Sequence, residues 1–255
     1  MSDTQTQLLF DSHVHVWPDK IADKALAGRV DFMEAGFDGK VSGLEKTLDR
    51  CGIQRTVVMG IADHARHVHR TNEFIGGLRS ERMIPFGTVH PEVEVTESIE
   101  SLRANNITGI KLHPLFQRFA LDDERIWAVF EAIGDEFPVI AHIGKGGTPE
   151  TDELATPAMV ARIVDNFPKL RLISCHLGGF HRLDEAENEV IGKDCLIDTT
   201  WPPSIAELPK DRVLNLLRRH GTHRVVWGSD WPMSDPGAEV EAIRNLGLSD
   251  EEVEG

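Results

Sequence analysis

Positive charge is scarce in this chain. It sets 27 Lys and Arg against 42 Asp and Glu, a formal net charge of −15 over 255 residues. So acidic a surface repels phosphate backbones and anionic lipid headgroups, which argues against nucleic-acid and membrane partners. Long apolar runs are missing too, since none approaches the ~20 residues of a membrane-spanning helix. The opening MSDTQTQLLF has neither the basic nor the apolar stretch of a secretory leader, so a cytoplasmic protein is expected. Cysteine is sparse: Cys51, Cys175 and Cys195 are odd in number and make no C-x-x-C pair, implying neither a disulfide framework nor a thiolate zinc site. No G-x-S-x-G occurs, which disfavours a serine hydrolase, and no glycine-rich phosphate loop follows the first apolar run.

What remains is ordinary globular usage, 40% hydrophobic and 27% charged, in a regular beat. Short runs rich in β-branched residues (LLFDSHV, RTVVMGI, MIPFGTV, ITGIKLH, PVIAHIG, LRLISCH, CLIDTTW and RVVWGSD) are nearly continuous in apolarity, as strands covered on both faces should be. Amphipathic stretches lie between them, including LEKTLDRCG, HRTNEFIGGLRSE, TESIESLRANN, DERIWAVFEAIGDE, PAMVARIVDNFP and DRVLNLLRRHG. Thr156 before Pro157 reads as a helix start, and Gly221 after Arg218 and Arg219 as a helix stop. Eight strands alternating with helices in about 250 residues predict a single-domain α/β fold over residues 1–255, a (β/α)8 TIM barrel, with a doubly wound open sheet as the alternative. Near the end, Ser249 and Glu252 form a capping box, yet the chain stops soon after. The outer helical ring is therefore expected to be short at that flank, or covered by another copy in a homo-oligomer.

The polar residues of the strand-like runs gather at their C-terminal ends, where a barrel carries its chemistry. The first run ends in His13 and His15, the fourth in Lys111 and His113, the fifth in His142, the sixth in His176 and the eighth in Asp230. Alternation along an extended strand would put Asp11, His13 and His15 on one face, and would turn Cys175 away from His176 as a packed core thiol. Each polar residue singly has an ordinary role: a hydrogen-bonded core histidine, a turn-capping aspartate, a snorkelling lysine. Converging on one mouth, they need one another or a cation, because an unpaired buried polar group costs several kcal/mol.

Taken together, DSHVH, GIKLHP, AHIG, CHLGG and GSDWP resemble the amidohydrolase superfamily. The likeness is to its amidohydrolase-related TIM-barrel metal-dependent hydrolases, a group that includes aminocarboxymuconate-semialdehyde decarboxylase and related aromatic-acid decarboxylases. It runs from Asp11 to about Asp230, while the group's usual C-terminal helix with an Asn-Ala pair is missing. The resemblance implies that His13, His15, His142 and Asp230 bind one divalent cation, with His176 beside it as proton shuttle or carbonyl polariser. In binuclear relatives a carboxylated lysine in the place of Lys111 bridges two ions, and His142 and His176 serve the second; one ion with an amine at Lys111 is the favoured reading. Imidazole and carboxylate ligands without thiolate suit zinc first, with manganese or iron as alternatives.

Such an ion would activate water, Asp230 would accept and return a proton, His176 would stabilise an oxyanion, and Asp11 would orient a ligand histidine. The loops after the strands carry His64, Arg66, His67, His69, His90, Arg118, Lys145 and His181. Cations gathered at one mouth of an acidic protein point to a small-molecule carboxylate, with some of them simply facing solvent. Trp17, Trp201 and Trp231 each follow a strand end and either wall the pocket or plug the barrel top. The expected function is hydrolysis of a small carboxylated lactone, cyclic amide or ester by metal-activated water. Non-oxidative decarboxylation of an aromatic or muconate-type acid is the alternative, and a non-catalytic binding barrel is the alternative of another class.

Overall fold

The eight strand-like runs form eight parallel strands in the computed structural model, which describes residues 8–27 and 35–254. They are β1 (Phe10–His15), β2 (Arg55–Met59), β3 (Met83–Gly87), β4 (Gly109–Leu112), β5 (Val139–Ala141), β6 (Leu172–Ser174), β7 (Leu196–Asp198) and β8 (Val225–Val226). Each pairs with the next in chain order. The helices are α1 (Asp19–Ala27), α2 (Val41–Cys51), α3 (Val68–Gly76), α4 (Val95–Ala104), α5 (Pro114–Gln117) and α6 (Glu124–Ile133). They continue with α7 (Pro157–Asn166), α8 (Leu183–Glu189), α9 (Lys210–His220), α10 (Pro236–Arg244) and α11 (Asp250–Glu254). Of the opening MSDTQTQLLF, read for a secretory leader, residues 1–7 lie outside the described residues. Among the described residues no helix is long and apolar enough to cross a membrane.

The sheet closes on itself, which decides for a barrel over an open sheet. Past β8 the chain runs along β1: Ser12 N donates to the Trp227 carbonyl at 3.1 Å, Asp230 N to His13 O at 2.8 Å and His15 N to Trp231 O at 2.7 Å. Gly228 permits this approach, since a Cβ there would lie 2.7 Å from the His13 Cβ. The strands are shorter than the apolar runs because their last residues leave the hydrogen-bonded ladder to build the mouth. Inside the barrel Val57, Met59, Phe86, Ile140, Ile173 and Cys175 fill the floor. The missing side chain of Gly109 makes room there for the Phe86 ring, 2.4–2.6 Å from where a Cβ would stand. A second, larger apolar layer joins the outer strand faces to the helices, with Leu44, Leu102, Ile126, Val160 and Leu216 all at most 1% exposed.

The helix signals stand where physical chemistry placed them. Thr156 caps α7 by accepting from Met159 N, and α9 ends at Gly221 in a positive-φ conformation (98°). The box at Ser249 closes in both directions: Glu252 N donates to Ser249 Oγ at 3.2 Å and Ser249 N to Glu252 Oε2 at 2.8 Å. The segment after β8 does form a helix, α10, which the periodicity did not single out. Its PGAEVEAIR buries only Pro236 and Glu239, so no apolar stripe announces it.

Candidate metal centre and active site

β1 carries a bulge. Asp11 pairs with Thr56 and Val14 with Val58, three steps against two, so one extra residue is accommodated at Ser12-His13. The imidazoles of His13 and His15 turn into the mouth, their Nε2 atoms 3.2 Å apart. Asp230, in the left-handed region at φ 59°, brings Oδ1 to 3.3 Å from His13 Nε2 and 3.5 Å from His15 Nε2. All three residues are buried. Ligand atoms about 2.0–2.1 Å from a tetrahedral ion stand about 3.3–3.4 Å from each other, so this triangle has the dimensions of three corners of a divalent-ion site. Burial, then the neighbouring Lys111 and His142, hold the His13 imidazole well below its ordinary range, in the neutral form that coordinates metal. Lys111, fully buried, places Nζ 3.2 Å from His13 Nε2.

His142 and His176 are brought beside this triangle as a pair. His176 Nε2 lies 2.9 Å from His142 Nδ1, and the His176 ring centroid is 5.6 Å from that of His13. The His142 ring does not join the group of three that could share one ion. A line of contacts runs through the pair. Asp198 Oδ1 meets Thr200 Oγ1 at 2.6 Å, Thr200 Oγ1 meets His176 Nδ1 at 2.8 Å, and beyond the pair His142 Nε2 meets the Lys145 carbonyl at 2.9 Å. Both ends can only accept. With neutral rings the hydroxyl and the two imidazoles supply one proton each for four contacts, so the line takes up one further proton or leaves one contact open. Burial first, then His142, holds His176 well below its usual range.

Two expectations are corrected here. Asp11 does not orient a ligand ring: its carboxylate accepts from His13 N at 3.1 Å, Ser229 N at 3.0 Å and Ser229 Oγ at 2.6 Å, tying β1 to the chain beyond β8. The carboxylate on the His13 ring belongs to Asp198, whose Oδ2 lies 2.6 Å from Nδ1 with both side chains fully buried. Asp198 closes the seventh run, CLIDTTW, and was legible by the rule that found the others, as the charged residue ending its strand. Nor does Cys175 face away from the site. Its Sγ lies 3.7 Å from Lys111 Nζ and 3.7 Å from His13 Nδ1, directly beneath the mouth. Strand alternation stops at Ser174, and His176 and Leu177 take φ values of 61° and 55°, which swing the His176 ring to the same side. Burial, then Asp198, pushes the Cys175 thiol well above its ordinary range, so it stays protonated and is no nucleophile.

A small cavity, open to solvent, lies over these groups. His13, His15, Lys111, His142, His176 and Asp230 form its base, and His113, Phe116, Gly146, Phe180 and Pro202 its walls. His113 is sandwiched between Phe116 (centroids 3.9 Å, 16°) and His142 (4.2 Å, 10°), a flat stack presenting one aromatic side. None of the three tryptophans lines it. Trp231 is fully buried against Phe37, Trp17 stacks behind His15, and Trp201 backs Phe180 and His181. Arg118 is exposed and outside the lining, as is Lys145. Of the loop histidines, His67 pairs with Asp63, His69 with Glu97, and His90 with the Gln117 carbonyl.

A family model described as Amidohydrolase matches residues 10–255. No curated protein sequence matches the chain. Among solved structures, it is similar to 5-carboxyvanillate decarboxylase from Sphingomonas paucimobilis (TM-score 0.71, 15% identity, 96% of this chain and 95% of that one). It is similar to a dihydroxybenzoic acid decarboxylase from Polaromonas sp. JS666 with bound manganese and 2-nitroresorcinol (0.73, 12%, 98% and 94%). A probable 2-pyrone-4,6-dicarboxylic acid hydrolase from Acinetobacter baumannii with bound citric acid is similar as well (0.67, 14%, 97% and 95%). At these identities the likeness is one of fold.

Proposed function

Because this chain belongs to the amidohydrolase family, whose model spans residues 10–255, we propose that it is a metal-dependent hydrolase of a small carboxylated ring substrate, a lactone, cyclic amide or ester. The observation that carries this reading is the buried triangle of His13 Nε2, His15 Nε2 and Asp230 Oδ1, with edges of 3.2–3.5 Å. These residues would hold one divalent ion, zinc first and manganese or iron as alternatives. Bound there, it would supply the Lewis acidity that activates water at neutral pH and polarises a carbonyl.

The chain's own groups do the rest. Asp230, with Oδ1 directed at the two imidazoles, keeps its other carboxylate oxygen to accept a proton from the attacking water and return it to the leaving group. His176 lines the cavity beside the triangle and would stabilise an oxyanion there once its pair with His142 takes up a further proton. Lys111 Nζ remains an amine and is the cation nearest a substrate carboxylate at the cavity base. Phe116 and Phe180 flank the space for a flat ring. Neighbours named for carboxylated rings, a carboxyvanillate and a pyrone dicarboxylic acid, support that substrate class.

Decarboxylation is the second reading, favoured by the apolar walls of Phe116, Phe180 and Pro202, which suit protonation of a ring carbon more than passage of water. The test is turnover of carboxylated lactones, cyclic amides and aromatic acids in H₂¹⁸O with ¹³C in the substrate carboxyl. Hydrolysis puts one ¹⁸O into the product; decarboxylation releases ¹³CO₂. Metal-loaded protein that does neither with any of them would leave a binding barrel.

A further inference from the structure

We infer that Asp198 is the positioning residue of this site, one carboxylate that sets the proton on His13 and the orientation of His176 together. The inference rests on the reading of His13 as a metal ligand. Asp198 Oδ1 accepts from three donors, His176 N at 2.6 Å, Thr200 N at 3.2 Å and Thr200 Oγ1 at 2.6 Å. Its other oxygen stands 2.6 Å from His13 Nδ1. A carboxylate only accepts, so His13 carries its proton on Nδ1 and points the bare lone pair of Nε2 at His15 and Asp230, the tautomer a cation requires. Through Thr200 Oγ1, 2.8 Å from His176 Nδ1, the same carboxylate braces the second ring. β7 thus serves the mouth without lining the cavity.

The isosteric variant Asp198→Asn isolates this role. Three donors fix where its amide oxygen must sit, so its NH₂ falls opposite His13 Nδ1. That nitrogen must then be bare, and Nε2–H is driven into the ligand triangle. Zinc affinity, read by competition against a chromophoric chelator, should fall about 10–100-fold. The secondary structure and the melting transition should stay in place. In ¹⁵N-histidine NMR of metal-free protein, His13 should carry its proton on Nδ1 in the wild type and on Nε2 in the variant. Thr200→Val should shift the His176 signals and leave those of His13 and the zinc affinity unchanged.

Unchanged zinc affinity in Asp198→Asn, or a wild-type His13 protonated on Nε2, would overturn the assignment. So would a lowered melting temperature with the His13 tautomer unmoved, which is the signature of a merely structural carboxylate. Should the variant fail to fold, the wild-type tautomer alone decides. If the wild type bound no zinc at all, the proposed function would fall while the tautomer measurement still judged Asp198.

Discussion

Acid should unfold this barrel partly through one histidine far from its mouth. His220 ends α9 and is fully buried. Its Nε2 donates to the Cys195 carbonyl at 2.9 Å and its Nδ1 accepts from Gly192 N at 3.2 Å, so the neutral ring satisfies both neighbours and a second proton would face an N–H. Burial, ahead of the charges of Arg224 and His223, lowers the His220 imidazole to about 4. A base depressed in the folded state contributes stability that is complete above its unfolded value near 6.5 and is lost as pH falls toward 4. Linkage over that window gives about 2 kcal/mol lost between pH 7 and pH 5, and about 3 kcal/mol by pH 4. The comparison to make is His220→Gln, whose amide can donate and accept at the same two places without titrating. Urea unfolding followed by circular dichroism at pH 7, 6 and 5 should show the wild type losing about 2 kcal/mol more than the variant across the range. Parallel stability curves for the two proteins would refute the reasoning.

Asp11 carries the opposite sign. Burial raises it to about 7 against the hydrogen bonds from Ser229 and His13, so its contribution is full at low pH and is lost as pH climbs through 7, by about 3 kcal/mol between pH 5 and 8. Asp11→Asn can keep all three contacts, and should gain about 3 kcal/mol on the wild type between pH 5 and pH 8 in the same unfolding assay; a difference between the two proteins that stays constant over that range would count against a neutral Asp11. Lys111→Ala should leave the metal content per chain at the wild-type value by elemental analysis, while KM for a carboxylated substrate rises about tenfold or more with the loss of a charged hydrogen bond. A metal content cut by half would instead mark Lys111 as a bridging carbamate between two ions.

Much of the barrel was legible because its rules are local. Continuous apolarity in runs of about seven residues calls for strands buried on both faces, and the intervening 3.6-residue periodicity for helices. Those rules located α2, α3, α4, α6, α7 and α9 to within a few residues of their observed ends. They passed over α8 and α10, where LDEAENE and PGAEVEAIR bury too few apolar side chains to leave a pattern. Strand-end polar residues were equally readable, and His13, His15 and Asp230 do meet.

Chain order and composition by themselves determined which residues stand at the ends of which strands, since the reach of that question is one strand and its loop. Which nitrogen faces which oxygen was decided only in three dimensions. A bulge at Ser12-His13 freed Asp11 from the ring it was expected to hold, and two successive left-handed residues turned His176 onto the side of Cys175. Asp198, 185 residues from His13 along the chain, took the place of Asp11 on its ring. Hydrogen bonds discriminate over tenths of an ångström between groups brought together by barrel closure, and no local periodicity encodes such a distance.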